Sequence, residues 1–268
     1  KLLTYSDFED DLFRSGPYLL PNMNARVFVD TEIPSEILAR MNSYWYEVNR
    51  VEAFEKTVAL DDPLKLFASV FGSPPKARIA LSSNPKLLKA KDESSGLTLT
   101  HVAFLAGDAT LIDLLISQNV DLKVKSRLGI MPIHCAVLSN NNYGLRLLRQ
   151  KGISLESKDV HGRTPLMIAC RYGNAVHAKL AIDEGAKVTT RDKAGVTPFW
   201  YVCQNYLWDR TQFAQEMKKA GFNPNEWTTS TLHPLHIAID PKLTDYLCSI
   251  GAKVNGFEKG MTRWTALH

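Results

Sequence analysis

Apolar residues at helical spacing run through most of the chain. Leu111, Ile112, Leu114 and Leu115 place an apolar stripe along one face, so we expect a helix there. A longer stretch at 35–59 follows a proline, opens with a serine that suits a helix N-cap, and carries apolar residues on one face. We expect this long helix to cover an apolar end of the structure.

The pattern repeats every 33 residues. Gly96, Gly129, Gly162 and Gly195 are each followed by one variable residue and then by the tetrads TLTH, MPIH, TPLM and TPFW. A second helix then ends at a glycine or asparagine, where a left-handed residue is needed. The fourth unit reaches this position late, at Gly221, which indicates an insertion of three residues.

These registers resemble the ankyrin-repeat family, whose pattern is a β-turn, TPLHxA opening a first helix, and a second helix ending near LLxxGA. The segment DVHGRTPLMIACRYGNAVHAKLAIDEGAKV at 159–188 is similar throughout, and the segment at 96–122 nearly as much. The resemblance implies an all-α solenoid of stacked helix–turn–helix units with β-turn or hairpin loops and an N-terminal helical extension.

The same resemblance implies a division of the chain into three parts. We expect an extension with a long capping helix at 1–60 and a degenerate capping repeat at 61–92. Pro74 and Pro75 are expected in the linking loop of that capping repeat. Ankyrin repeats are expected over 93–268, with a last repeat that begins at TALH, where the chain stops, and is therefore truncated.

Polar residues that recur with the repeat are expected to serve the fold. The last place of the tetrad is held by His101, His134, His236 and His268, and the resemblance implies that these histidines bond backbone and the tetrad's threonine. Met167 and Trp200 stand in that place in the third and fourth units, so these two units should lack the bond. Asp159 and Asp192 open two turns and are expected to bond their own backbone.

The cysteines are expected to be packed thiols. Cys170 and Cys203 lie 33 residues apart, one place after a small apolar position of the repeat. His161 is near Cys170 in sequence but lies in the turn, so we do not expect a Cys–His catalytic pair. The sequence contains no phosphate loop, GxSxG, HExxH or calcium loop. We therefore expect no enzyme activity, cofactor or metal in this chain.

Composition and charge narrow the setting further. The net charge of +4 is too mild to indicate nucleic-acid binding, and no run approaches the roughly 18 apolar residues of a membrane span. The first residues, KLLTYSDFEDDLF, do not resemble a secretory signal. We expect an intracellular, reducing compartment, either cytoplasm or nucleus.

Function is expected on the slots that vary between units, because the recurring slots hold the fold. The resemblance implies a protein–protein interaction module that binds its partner through a concave groove and the β-turn tips. These slots hold basic residues and no acid, so we expect an acidic or acidic–apolar partner surface. The expected partner-binding residues are Arg127, Leu128, His161, Arg163, Arg171, Tyr172, Lys193, Gln204, Asn205 and Trp208.

A second reading concerns the parent protein. The repeats could be the substrate-targeting region of a larger multidomain enzyme, or of a bacterial effector delivered into the cytoplasm of a host cell. In either case the catalytic part would lie outside this chain. The sequence leaves the partner's identity and the oligomeric state open.

Overall fold

The computed structural model describes most of the chain from residue 74 to residue 254. The described residues are 66, 70, 74–93, 95–139, 142–172, 175–203, 209–227, 233–238 and 240–254. The predicted extension at 1–60 and the predicted truncated repeat at TALH lie outside them, as does the long helix at 35–59.

The described elements are short helices joined by turns, together with an isolated antiparallel bridge between Lys91 and Thr98. A 3-10 helix at Pro85–Lys89 follows the first α-helix. The α-helices are α1 (Pro74–Ser83), α2 (Leu99–Ala106), α3 (Ala109–Ser117), α4 (Pro132–Leu138), α5 (Asn142–Gln150), α6 (Pro165–Tyr172), α7 (Ala175–Asp183), α8 (Pro198–Cys203), α9 (Arg210–Lys219), α10 (Pro234–Ile237) and α11 (Pro241–Ser249). The prediction of an all-α repeat structure is confirmed.

The helices come in pairs at the predicted period. The first helices of four successive units begin at Leu99, Pro132, Pro165 and Pro198, which are 33 residues apart at each step. A proline at the first helical position loses nothing, because its missing N–H would have no helical partner there. The next first helix begins at Pro234, 36 residues on, as the predicted three-residue insertion requires.

The predicted capping repeat at 61–92 departs from the expected placement of its two prolines. Pro74 and Pro75 are not in a linking loop; they open α1. The first turn of a helix accepts proline for the reason given above, and proline's fixed φ suits it. A pair of prolines therefore marked a helix start here rather than a break.

The core lies where first helices of neighbouring units meet. Helix α2 packs on α4, α4 on α6, and α6 on α8. At these contacts Ala103, Ala136, Ala169 and Val202 recur every 33 residues, and all four are fully buried. Small side chains at this place let consecutive helices approach closely. Phe104, Phe199 and Phe213 fill the larger spaces and are also fully buried.

The second helices end in left-handed backbone, as predicted. The terminal residues are Asn119, Gly152, Gly185, Gly221 and Gly251, with φ of +53°, +78°, +97°, +91° and +93°. Asn119 tolerates this conformation better than most residues, and the glycines adopt it without steric cost. Each second helix therefore stops at a fixed length before the next turn.

A ladder of backbone hydrogen bonds connects successive turns. The amides of Arg127, Val160 and Lys193 donate to the carbonyls of Ser95, Leu128 and His161, each at 2.9 Å. The residue after each of these carbonyls is a turn glycine with positive φ. A Cβ on Gly162 would lie 2.7 Å from the Lys193 amide nitrogen, so only glycine allows this approach.

Two glycine-to-alanine substitutions distinguish the cost of a left-handed backbone from the cost of a clash with the next turn. Gly162 and Gly152 have nearly equal φ, +80° and +78°, but a Cβ on Gly152 would meet nothing within 4 Å. We expect Gly152→Ala to lower the free energy of unfolding by about 1 kcal/mol, from left-handed strain alone. Gly162→Ala adds a backbone clash and should lower it by about 2–4 kcal/mol. Urea denaturation of both variants measures the difference, and equal losses would show that the turn ladder does not constrain Gly162.

Candidate functional site

The turns owe their shape to the predicted carboxylates. Oδ1 of Asp159 accepts hydrogen bonds from the amides of His161, at 2.9 Å, and Arg163, at 2.8 Å. Oδ1 of Asp192 accepts from Ala194 at 2.8 Å and Val196 at 2.9 Å. The expectation that both aspartates bond their own backbone is confirmed. In each turn the second carboxylate oxygen remains available for a side chain.

In the third unit the side chain of Arg163 binds this second carboxylate oxygen, Oδ2 of Asp159. Its Nε donates to Oδ2 of Asp159 at 2.6 Å, and the Arg163 side chain is only 9% exposed. The sequence placed Arg163 among exposed partner-binding residues, and the structure corrects this. The carboxylate left over from the turn draws the guanidinium inward, where Nη2 is buried without a hydrogen-bond partner. Burial alone would lower the pKa of Arg163, but the charge of Asp159, its hydrogen bond to Arg163 and the nearby Tyr172 and Tyr201 together raise the pKa.

In the fourth unit a tyrosine takes the equivalent place. The residue 33 positions after Arg163 is Val196, which offers no donor, and the Tyr201 hydroxyl donates to Oδ2 of Asp192 at 2.6 Å. Burial and this hydrogen bond raise the pKa of Tyr201. Trp200 packs edge-on against Tyr201 with ring centroids 5.8 Å apart. Sequence reasoning missed both as site residues, although TPFW is the tetrad that departs furthest from the repeat.

An open groove lies between the third turn, which contains Asp159, and the fourth turn, which contains Asp192. Its volume is about 410 Å³. It is lined by Val160, His161, Arg163, Arg171, Tyr172, Asp192, Lys193, Ala194, Val196, Trp200 and Tyr201. Five of the ten predicted partner-binding residues therefore meet in one place. They come from two turns and from the end of α6, while the two aromatic residues come from α8.

The five residues differ in how far they reach solvent. His161 and Lys193 are exposed at the turn tips, and Arg171 is half-buried. Nε of Arg171 donates to the Tyr172 hydroxyl at 3.0 Å, and its guanidinium carbon lies 5.3 Å from the Tyr172 ring centroid. Tyr172 is only 3% exposed. It was expected on the binding surface, and the structure places it instead in the wall, where it positions Arg171.

The remaining predicted site residues lie apart from the groove. Arg127 is exposed and Leu128 half-buried at the tip of the second turn, one step back along the ladder. Gln204, Asn205 and Trp208 lie outside the described residues. The structure thus brings the predicted residues of the third unit together with Lys193 of the fourth unit. The predicted residues in the loop of the fourth unit are not described.

The tetrad histidines bridge neighbouring units. Nδ1 of His101 accepts from the Thr98 amide at 3.2 Å, and Nε2 donates to the Ile130 carbonyl of the next turn at 2.9 Å. His134 repeats this with the Met131 amide and the Arg163 carbonyl. The predicted backbone bonds are confirmed for His101 and His134 and extend further than expected, since each of these two rings joins two units. The prediction is wrong for His236, whose two ring nitrogens are buried without a hydrogen-bond partner among the described residues. His268 lies outside the described residues. Burial lowers the pKa of His101 and of His134 to about 4.

Met167 replaces this histidine in the third unit. Its sulfur accepts from the Thr164 amide at 3.4 Å, and its own amide donates to the Thr164 hydroxyl at 3.4 Å. The thioether keeps the local cap but has no N–H to donate to the next turn. Neutral imidazole can therefore be exchanged for an apolar side chain at this place.

The thiols are part of the core. Among the described residues, Cys135, Cys170 and Cys203 are buried and form no disulfide. Burial raises the pKa of Cys135 to about 12, and it also raises the pKa of Cys170 and of Cys203. A nucleophilic cysteine needs the opposite shift. Cys170 and His161, which are near each other in the sequence, belong to the core and to an exposed turn tip respectively.

Two further observations concern the described residues only. Among them, no group of three or more His, Cys, Asp or Glu side chains could hold a metal ion. No helix in the same ranges has the length and apolarity that crossing a membrane requires.

The comparison with known proteins agrees with this geometry. The family model for ankyrin repeats (3 copies) matches residues 99–192, from the first residue of α2 to the turn before α8. No curated protein matches the chain. The matched segment contains three of the helix pairs. Four of the five residues that the groove shares with the predicted set lie within it, on the third turn and at the end of α6. Residues 99–192 of the chain are ankyrin repeats, a class of repeat that generally serves as a protein–protein interaction module.

Proposed function

We propose that the chain binds a partner protein along its turn tips and the ends of its first helices, and that the partner presents an acidic or acidic–apolar surface. The observation that carries the proposal is the groove between the third and fourth turns. It combines exposed cationic and apolar side chains with the buried side chains of Arg163 and Tyr172. The hydrogen bonds of these two residues support binding, because side chains that are already held in place lose little entropy on association.

The turn tips supply the charge. Arg127 and Lys193 are exposed on two turns held in register by the backbone ladder. Among the described residues, neither side chain takes part in an ion pair. Unpaired cations in a fixed row favour an acidic partner and accelerate encounter with it.

The setting of this binding is proposed to be intracellular. The buried cysteines of the described residues form no disulfide, which supports a reducing compartment. The chain is proposed to have no catalytic role of its own.

A double charge reversal tests the binding face. We expect Arg127→Glu with Lys193→Glu to weaken partner binding about tenfold and to reduce its salt dependence, because both cations lie at exposed tips. The measurement is quantitative affinity capture from cell lysate with the chain and its variant as baits, repeated at two salt concentrations. Lys218→Glu, a single charge reversal, is the control, since Lys218 is also exposed and lies on α9, away from the groove.

The control fixes the interpretation. A protein captured by the chain and by the Lys218→Glu variant, but lost with the double variant, supports the proposed face. Equal capture by all three chains would contradict it.

A further inference from the structure

The charge around the groove between the third and fourth turns is small. Arg163, Arg171 and Lys193 are part of its lining, as is Asp192. Asp159 is paired with Arg163. Among the described residues of the groove, three cations thus meet two carboxylates, and this excess of one positive charge suits a ligand with one negative charge. A phosphate dianion or a nucleic-acid backbone would call for more cations than this.

Two side chains, Lys193 and Arg171, define where this excess positive charge lies. Among the described residues, the ammonium of Lys193 makes no hydrogen bond or ion pair, and it is exposed at the fourth turn. Arg171 comes from the end of α6, and its contacts with Tyr172 hold its guanidinium at the wall. The buried Nη2 of Arg163 adds positive potential at the floor. A carboxylate between Lys193 and Arg171 would meet cations from two directions.

The same groove has an apolar side. Val160 is 40% exposed at the rim, one of few large apolar side chains so exposed in the described ranges. Trp200 is half-buried and forms part of the lining. An exposed valine and a partly exposed indole in the lining of one groove favour a second, apolar side chain on the ligand.

We infer that this groove binds a partner segment in which a glutamate or aspartate lies next to a large apolar residue. The carboxylate lies between Arg171 and Lys193, and the apolar side chain packs on Val160 and Trp200. The inference rests on the proposed function and specifies the chemistry of the partner at one site. A folded partner is not required, since one acidic and one apolar side chain satisfy the groove.

Short labelled peptides test the inference without a known partner. The probes are Gly-Ser-Gly-Glu-Phe-Gly-Ser-Gly and its relatives with Gln-Phe, Glu-Ala and phosphoserine-Phe at the centre, titrated with the full chain by NMR and fluorescence polarisation. We expect the Glu-Phe peptide to bind about tenfold more tightly than the Gln-Phe peptide, as loss of a charge-assisted contact implies. The Glu-Ala peptide should also bind more weakly than Glu-Phe.

Variants assign each preference to its side chains. Lys193→Gln with Arg171→Gln should abolish the preference for Glu over Gln and leave the preference for Phe over Ala. Val160→Asp should remove the preference for Phe. Lys218→Gln, which removes one positive charge away from the groove, should alter neither. A denaturation curve for each variant shows that the fold is kept.

Several outcomes would overturn the inference. Equal binding of the Glu-Phe and Gln-Phe peptides would do so, as would a Glu preference that survives the double Gln variant. Tighter binding of the phosphoserine peptide would assign the groove to phosphate instead. Should the lysate experiment support the binding face while the peptides show no selectivity, only this inference fails. If charge reversal also leaves capture unchanged, the proposed function fails with it.

Discussion

Arg163→Ala is expected to lower the free energy of unfolding by about 3–5 kcal/mol, the usual cost of leaving one member of a buried ion pair behind. The Asp159 side chain is fully buried, and Nε of Arg163 is the side-chain donor to its Oδ2. Without the guanidinium, that oxygen stays charged in a site closed to water. The Asp159 backbone bonds would remain, but they satisfy only Oδ1.

Thermal and urea denaturation, followed by circular dichroism, measure this loss. Arg127→Ala is the matched control, because Arg127 lies at the exposed tip of the preceding turn. It should change the unfolding free energy by less than about 0.5 kcal/mol. If Arg163→Ala proved as mild as Arg127→Ala, the Asp159–Arg163 pair would be dispensable to the fold.

This burial changes how the binding face should be tested. Charge reversal at Arg163 would place two carboxylates together in the third turn and disturb the turn itself. A loss of binding in such a variant would report damage to the fold rather than loss of a contact. Lys193 and Arg127 are the better positions, because their charges lie outside the packed residues.

The periodic features of the fold could be predicted because each depends on local geometry that recurs. Gly152 must be left-handed to end a helix, and Asp159 can cap its own turn wherever the turn occurs. Pro165 begins a helix because a first helical position needs no N–H. Such requirements act over a few residues, so the sequence carries them in full.

The groove could be predicted only in part, because its details depend on contacts between units. Arg163 lies in a variable slot of the turn, and nothing periodic indicates whether a long side chain there points outward or folds back onto Asp159. The burial of Tyr172 depends on neighbours supplied by the next unit. Tyr201 takes its role because Val196 leaves Asp192 with an unused oxygen. The spacing of four residues between Asp159 and Arg163 is the feature of the sequence from which the ion pair could have been predicted.

Acidification is expected to destabilise the repeats between pH 6.5 and pH 4. His101 and His134 have their pKa lowered from 6.5 to about 4 by burial. Within that window the two histidines bind protons in the unfolded chain but stay neutral in the folded chain. The unfolding free energy therefore falls as the pH falls. Above pH 6.5 both states hold neutral imidazole, and this contribution is constant. The lowered pKa values of His177 and His233 act in the same direction.

The expected size follows from the shifts. One pKa unit corresponds to about 1.4 kcal/mol, so each of the two tetrad histidines accounts for at most about 3 kcal/mol by pH 4. The physical cause is that a protonated ring would put a charge in the core and give Nδ1 a proton where it now accepts the Thr98 or Met131 amide. His134 lies near both Asp159 and Arg163, whose charges act on it in opposite directions.

The third unit provides the variant that isolates this effect. Met167 occupies the same place without a titrating group, so His101→Met with His134→Met reproduces an arrangement that the chain already uses. The double variant should melt at a lower temperature than the parent at pH 7.5, since it loses two bonds between units. Its melting temperature should then fall less steeply than the parent's between pH 6.5 and pH 4. Parallel pH profiles for the two proteins would show that other groups, and not these histidines, determine the acid sensitivity of the stack.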